Sequence, residues 1–211
     1  MRLRWSRSGN GRRERWIGMG SPVPASAGVG PLVQRDYWAV FPDCPLRPSE
    51  LVELASREFP LFAPKDKITF HRTGSDGEPL AVGERLVCAI RHAGRCHVEV
   101  VHVDGCSFTL ATLPGHPEAG RITFGAYRNG RGDVVFHIRS RARSSTAVRR
   151  FGFVIGGEPV QTLTWTDFID RLAAVVGCGV LGAIEETTRV VSDEPEDRGP
   201  PAAPTFLARG D

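Results

Sequence analysis

The sequence predicts an α+β fold, a curved antiparallel sheet wrapped around a long C-terminal helix. Three observations carry that prediction. Six short segments between residues 68 and 141 alternate apolar with polar residues at the period of a strand. Two of the breaks between them, Asp104-Gly105 and Asn129-Gly130, are dipeptides that close tight hairpins. Beyond the last of these segments, Trp165, Phe168, Ile169, Leu172, Ala173 and Val176 recur at helical spacing.

The elements follow in order. Leu32 to Phe41 reads as a strand stopped by Pro42. Pro48 suits the first turn of a helix because its missing N–H has no intrahelical partner to lose there. Leu51, Leu54, Ala55 and Phe59 then form one face until Pro60 ends it. Ile68 to Arg72, Leu86 to Ile90, Cys96 to Val103, Ser107 to Leu113, Ile122 to Tyr127 and Asp133 to Arg141 read as strands. In the last of them Val134, Phe136 and Ile138 share one face, and His137, Arg139 and Arg141 share the other. Thr164 with Asp167 resembles a capping box at the start of the final helix, and Gly177 ends it. Such an order is that of a helix-grip fold.

Composition bounds the rest. The chain has 211 residues, 41% of them hydrophobic and 24% charged, enough for one domain with a full core. Residues 1–31, rich in Arg, Gly and Pro, and residues 191–211, acidic and Pro-rich, read as disordered arms around a single domain at 32–190. The net charge of +3 is small and sits largely in the N-terminal arm. The body is nearly neutral, so no nucleic-acid partner is expected. Five cysteines at irregular spacing, with no Cys-x-x-Cys pair, argue against a disulfide framework and a zinc ribbon. His71, His92, His102 and His137 show no mutual ligand spacing, so no metal and no cofactor is expected. No apolar run approaches the roughly 18 residues of a membrane span, and the expected location is cytoplasmic.

One motif is chemically suggestive. Residues 112–120 read Thr-Leu-Pro-Gly-His-Pro-Glu-Ala-Gly. Pro114-Gly115 suits the centre of a type II turn, since proline presets the first φ and glycine accepts the positive φ that follows. Pro117 pushes His116 into an extended conformation, in which residues two apart share a side. His116 and Glu118 are therefore candidate catalytic residues, the carboxylate orienting the imidazole for acid–base chemistry. The plainer alternative is a strand connection whose His116 and Glu118 are solvated. The run Arg139, Arg141, Arg143, Arg149 and Arg150 reads as a solvated strand end.

The stretch Phe108 to Gly120, with "VVFHIRSRAR" and "VQTLTWTDFIDRLAAVVG" after it, resembles a domain-of-unknown-function family of bacterial and plant proteins. Its specific part is Thr112 to Glu118. More distantly that family is similar to the START and polyketide-cyclase-like (SRPBCC, Bet v 1-like) helix-grip proteins. The resemblance implies a cavity between sheet and helix that binds an apolar or amphipathic small molecule. Its walls would be Phe108, Leu110, Phe124, Phe136, Ile138, Phe168 and Leu172, with Pro114, Gly115 and His116 at the mouth. Three functions stay open at this point: a binding protein, an enzyme with cyclase- or hydrolase-like chemistry at His116 and Glu118, and an interaction module with a filled core.

Overall fold

A computed structural model describes residues 20–74, 77–91 and 94–198, with the side chains of residues 147–161 and of Glu196 left outside the description. A 3-10 turn at Ala25–Ala27 precedes strand β1 (Val29–Phe41) and the helices α1 (Pro48–Arg57) and α2 (Phe59–Phe62). Strands β2 (Ile68–Arg72), β3 (Arg85–Ile90), β4 (Gly94–Val103), β5 (Ser107–Thr112), β6 (Glu118–Arg128) and β7 (Val134–Ser144) follow. The long helix α3 (Ala147–Val176), strand β8 (Leu181–Val191) and the short helix α4 (Pro195–Arg198) complete the order. All eight strands join one antiparallel sheet in the order β2-β3-β4-β5-β6-β7-β1-β8. Helix α3 packs across β1 and β7, while α1 covers β5 and β6 on the same face. This is the helix-grip architecture. No helix among the described residues is long and apolar enough to cross a membrane.

Two elements differ from the sequence expectation. Helix α3 begins at Ala147, not at Thr164. Gly156, Gly157 and Pro159 are poor helix residues, so local propensity hides its first half. Thr164 is buried inside the helix and Asp167 bonds Lys67 Nζ at 2.6 Å, so the pair does not act as an N-cap. Strand β8 then returns to the sheet edge beside β1. Both its faces are largely exposed, which leaves no apolar alternation to read. A smaller difference is at α1, which ends at Arg57: Phe59 opens α2, and Pro60 stands in the first turn of α2 instead of ending α1.

The core is aromatic at its centre. Phe108 stacks on Phe124 at 4.9 Å, and Phe59 of α2 meets both edge-on at 5.8 and 5.1 Å. Phe168 of α3 closes the cluster against Phe59 and Phe124, each at 5.4 Å. Edge-to-face and offset pairs at such separations add to the burial energy of the rings.

On the opposite face of the sheet the interior is polar. Asp36 of β1, buried, accepts from His137 Nε2 at 2.8 Å, from Gln34 Nε2 at 2.8 Å and from Arg139 Nε. Burial opposes its ionisation, but these three donors outweigh it and hold the carboxyl far below the usual range. Arg141 and Arg143 take carboxylates from the segment after β8: Arg141 Nη2 to Asp197 at 2.7 Å and Arg143 Nη2 to Asp193 at 2.5 Å. Ordered structure therefore reaches past residue 190, just as the 3-10 turn at Ala25–Ala27 lies ahead of residue 32. Residues 1–19 of the N-terminal arm, residues 199–211 of the tail, and His92 lie outside the described residues.

Two outcomes are expected. Phe168→Ala empties the centre of the cluster and should cost about 3–5 kcal/mol in urea denaturation. A loss under about 1 kcal/mol would refute the central role of that ring. Asp36→Asn should cost about 3 kcal/mol at pH 7, because it leaves buried partners uncompensated. The folded pKa of Asp36 is lowered, so its contribution is complete above the unfolded carboxyl pKa of about 3.9 and fades as pH falls further toward the folded value. The gap between wild type and variant in pH-dependent melts should hold from pH 7 to 5 and shrink only below about pH 4.

Candidate functional site

The concave face carries a buried polar strip next to the aromatic cluster. Alternation along β1 turns Arg35 and Tyr37 inward, and both are buried. On β7, Ser140 lies directly opposite Arg35, and Ile138 opposite Tyr37. On β6, Glu118, Gly120, Ile122 and Phe124 share the same face. Gly120 has φ 147°, and a Cβ there would stand 2.2 Å from the carbonyl oxygen of Arg141. Only glycine fits. With Gly120, Ser140 and Ala142 small, the Arg35 side chain extends over them to Glu118 Oε1 at 3.4 Å.

Two hydroxyls in this strip are unsatisfied. The Tyr37 hydroxyl and Ser140 Oγ are buried with no hydrogen-bond partner among the described residues. Burial pushes the Tyr37 phenol up to about 12, opposed by the Arg35 charge and by the side chain of Thr162 on α3, which is near the hydroxyl but outside hydrogen-bond geometry. A buried hydroxyl without a partner carries a desolvation cost of about 1–3 kcal/mol. Such a group needs a reason.

The loop between β5 and β6 folds as its sequence requires. His116 N donates to the Leu113 carbonyl at 3.1 Å and Gly115 has φ 92°, the closure of a turn with glycine in its left-handed position. Thr112 Oγ1 accepts from Gly120 N at 3.0 Å and pins the base of the loop. Pro114 and Gly115 are exposed, and their part is to shape the turn. His116 turns inward. Its Nδ1 lies 3.0 Å from the Glu118 amide nitrogen and 3.1 Å from the Glu118 carbonyl oxygen. The histidine therefore meets Glu118 through the backbone, while the Glu118 carboxylate reaches Arg35. That arrangement differs from the expected pair in which the carboxylate orients the imidazole.

Beside His116 stand two thiols. Cys88 of β3 and Cys96 of β4 face each other across the strand pair, both buried. One donor atom each from Cys88, Cys96 and His116 lies within 4.8 Å of the other two. Cys96 Sγ donates to the Cys88 carbonyl at 3.6 Å. The neighbouring Cys88 thiol, with His116, draws the Cys96 thiol down to about 5 against the burial that opposes it. Cys88 itself is pushed up by its interaction with Cys96 and by burial. Burial would lower His116, yet the adjacent Cys96 outweighs it and raises the imidazole.

Phe108, Leu110, Phe124, Phe136, Ile138, Phe168 and Leu172 all lie within one core cluster. The fold thus brings together every apolar residue assigned to the wall. Sequence reasoning missed Arg35, Tyr37, Ser140, Cys88 and Cys96. A signal existed for two groups. Arg35 interrupts the apolar inward positions Val33, Tyr37, Ala39 and Phe41. Cys88 and Cys96 lie equally far from the turn of their hairpin, on core-facing positions.

No curated protein is significantly similar in sequence. Among solved structures the chain is similar to norcoclaurine synthase from Thalictrum flavum, determined with dopamine and hydroxybenzaldehyde. The identity is 12% and the TM-score 0.48, over 72% of this chain and 90% of that one. It is also similar to protein CV1439 from Chromobacterium violaceum, at 13% identity and TM-score 0.44, over 69% of this chain and 98% of that one. Ginseng major latex-like protein 151 from Panax ginseng gives 12% identity and TM-score 0.42, over 69% and 98%. Residues 62–174, just over half of the chain and including the loop at 112–118, match the family described as "Domain of unknown function (DUF1990)", and the chain belongs to that family.

Proposed function

We propose that the domain binds an amphipathic small molecule on its concave face, at the polar strip formed by Arg35, Tyr37, Glu118 and Ser140. The observation that carries this reading is the pair of buried hydroxyls at Tyr37 and Ser140, which have no hydrogen-bond partner among the described residues and are set against an aromatic core. A binding site for such a ligand needs apolar walls and a few fixed polar groups. Hydroxyls that both donate and accept suit a carbonyl, hydroxyl or carboxylate head group. The apolar remainder would lie along the edge of the phenylalanine cluster, whose rings are its floor. His116, Pro114 and Gly115 shape the loop next to this strip. The proposed setting is the reducing cytoplasm, where the five thiols stay free.

A second reading, an interaction module with a filled core, is favoured by the interlocking of Phe59, Phe108, Phe124 and Phe168. Tyr37→Phe and Ser140→Ala separate the two. For a ligand site, each variant should weaken binding of 1-anilinonaphthalene-8-sulfonate, titrated by fluorescence, about 5–10-fold, the worth of one hydrogen bond. Each should also raise the melting temperature of the unliganded protein, because an unsatisfied buried hydroxyl is gone. Lower stability with unchanged dye binding would mean that both hydroxyls serve the fold, and the filled-core reading would replace this one.

A further inference from the structure

We propose that Cys88, Cys96 and His116 form a zinc-binding site with two thiolate ligands, one imidazole ligand and an open fourth position. The site lies on the same concave face as the polar strip and takes none of its side chains as a ligand; the two meet only at the Glu118 backbone, which holds the His116 ring.

The donor set is the first argument. Two cysteine sulfurs and one histidine nitrogen are the ligands that zinc takes, three protein donors being the usual number where a fourth position stays open. Tetrahedral bonds of about 2.3 Å to sulfur place donor atoms about 3.8 Å apart, so donors found within 4.8 Å need to close by about 1 Å at most. Rotations of three short side chains suffice for that. The donors are also held by well-formed structure. Cys88 and Cys96 are paired positions in adjacent strands, and the turn at Leu113 to His116 fixes the third.

Charge is the second argument. Cys88 and Cys96 are 1% and 3% exposed and belong to the apolar core with Leu86, Val98 and Phe70. A lone thiolate is costly there, whereas two thiolates around Zn²⁺ carry no net charge, so the occupied site buries no uncompensated charge. Binding releases the two thiol protons to solvent.

The third argument is the contact behind the histidine. A metal-bound imidazole presents one nitrogen to the ion and donates the other N–H to a carbonyl or carboxylate. His116 Nδ1 lies 3.1 Å from the Glu118 carbonyl oxygen, in place to make that donation. Nε2 is then the nitrogen available to the metal. The same Nδ1 is 3.0 Å from the Glu118 amide, which it accepts from in the other tautomer. Backbone partners for both tautomers let the ring switch as metal binds and leaves. Three protein donors leave the fourth tetrahedral position for a water or a donor atom of a small ligand.

The other neighbouring thiols, Cys44 and Cys178, have no third metal donor among the described residues. They and the exposed Cys106 are free thiols that would compete for a soft metal, so the test uses the full chain with Cys44, Cys106 and Cys178 changed to Ser. Under reducing conditions this protein is titrated with Co²⁺ as the optical probe. The expected result is one equivalent bound, with sulfur-to-cobalt charge-transfer absorption in the near ultraviolet and tetrahedral d–d bands in the visible. Added Zn²⁺ should abolish both. His116→Ala should keep the charge-transfer band but weaken affinity 10-fold or more, and Cys96→Ser should remove most of that band while circular dichroism stays native. Failure of the reduced, folded parent to bind Co²⁺ or Zn²⁺ would overturn the site. So would loss of two thiols and two mass units in air even with saturating Zn²⁺ present, which marks a redox disulfide pair instead.

Discussion

Phe108 stacked on Phe124, and clamped by Phe59 from one helix and Phe168 from another, is the contact on which the placement of every other group depends. Those rings seat α2 and α3 on the middle of the concave face. Because α3 is anchored there through Trp165, Phe168, Ile169 and Leu172, its path across β1 and β7 is set. The polar strip lies where this apolar contact gives out. Arg35 and Tyr37 are inward positions on a strand that packs under the helix, so burying them is a consequence of the same anchor.

The two faces of the sheet solve the burial of charge differently. On the convex side, Asp36 is satisfied by His137, Arg139 and Gln34, and the acidic segment after β8 neutralises Arg141 and Arg143. Every one of these contacts is internal to the fold, and they stabilise it. On the concave side Arg35 has Glu118, while Tyr37 and Ser140 end without hydrogen-bond partners among the described residues. Buried, unsatisfied polar groups occur on both faces, His137 Nδ1 being the one beside Asp36, but only on the concave side do they adjoin the aromatic core, and the proposed ligand site rests on that adjacency.

The fold was largely legible in the sequence because period-two alternation and the Asp-Gly and Asn-Gly turns are local signals. Ile68–Arg72 was read to the residue, and the other internal strands to within a few positions. Strand β8 was not legible, since an edge strand exposed on both faces has no apolar alternation. The first half of α3 was hidden by Gly156, Gly157 and Pro159. For the site, the Pro114-Gly115 turn and the inward apolar set followed from residue type and spacing. The partners of His116 did not. Which side chain reaches an imidazole is decided by strand register, and register brings Cys96 to it while sending the Glu118 carboxylate across Gly120 to Arg35. Histidine and cysteine spacing along the chain gave no hint of a common centre, because the three donors come from two strands and a loop brought together only by pairing.

The most direct measurement is native mass spectrometry of the protein isolated from its own host, compared with the same sample denatured. A discrete organic mass that is present in the native spectrum and lost on denaturation is expected, and its reduction in a Ser140→Ala chain prepared in parallel would place it at the polar strip. A native mass equal to that of the bare chain, in both wild type and variant, would contradict the assignment of the concave face to a small-molecule ligand.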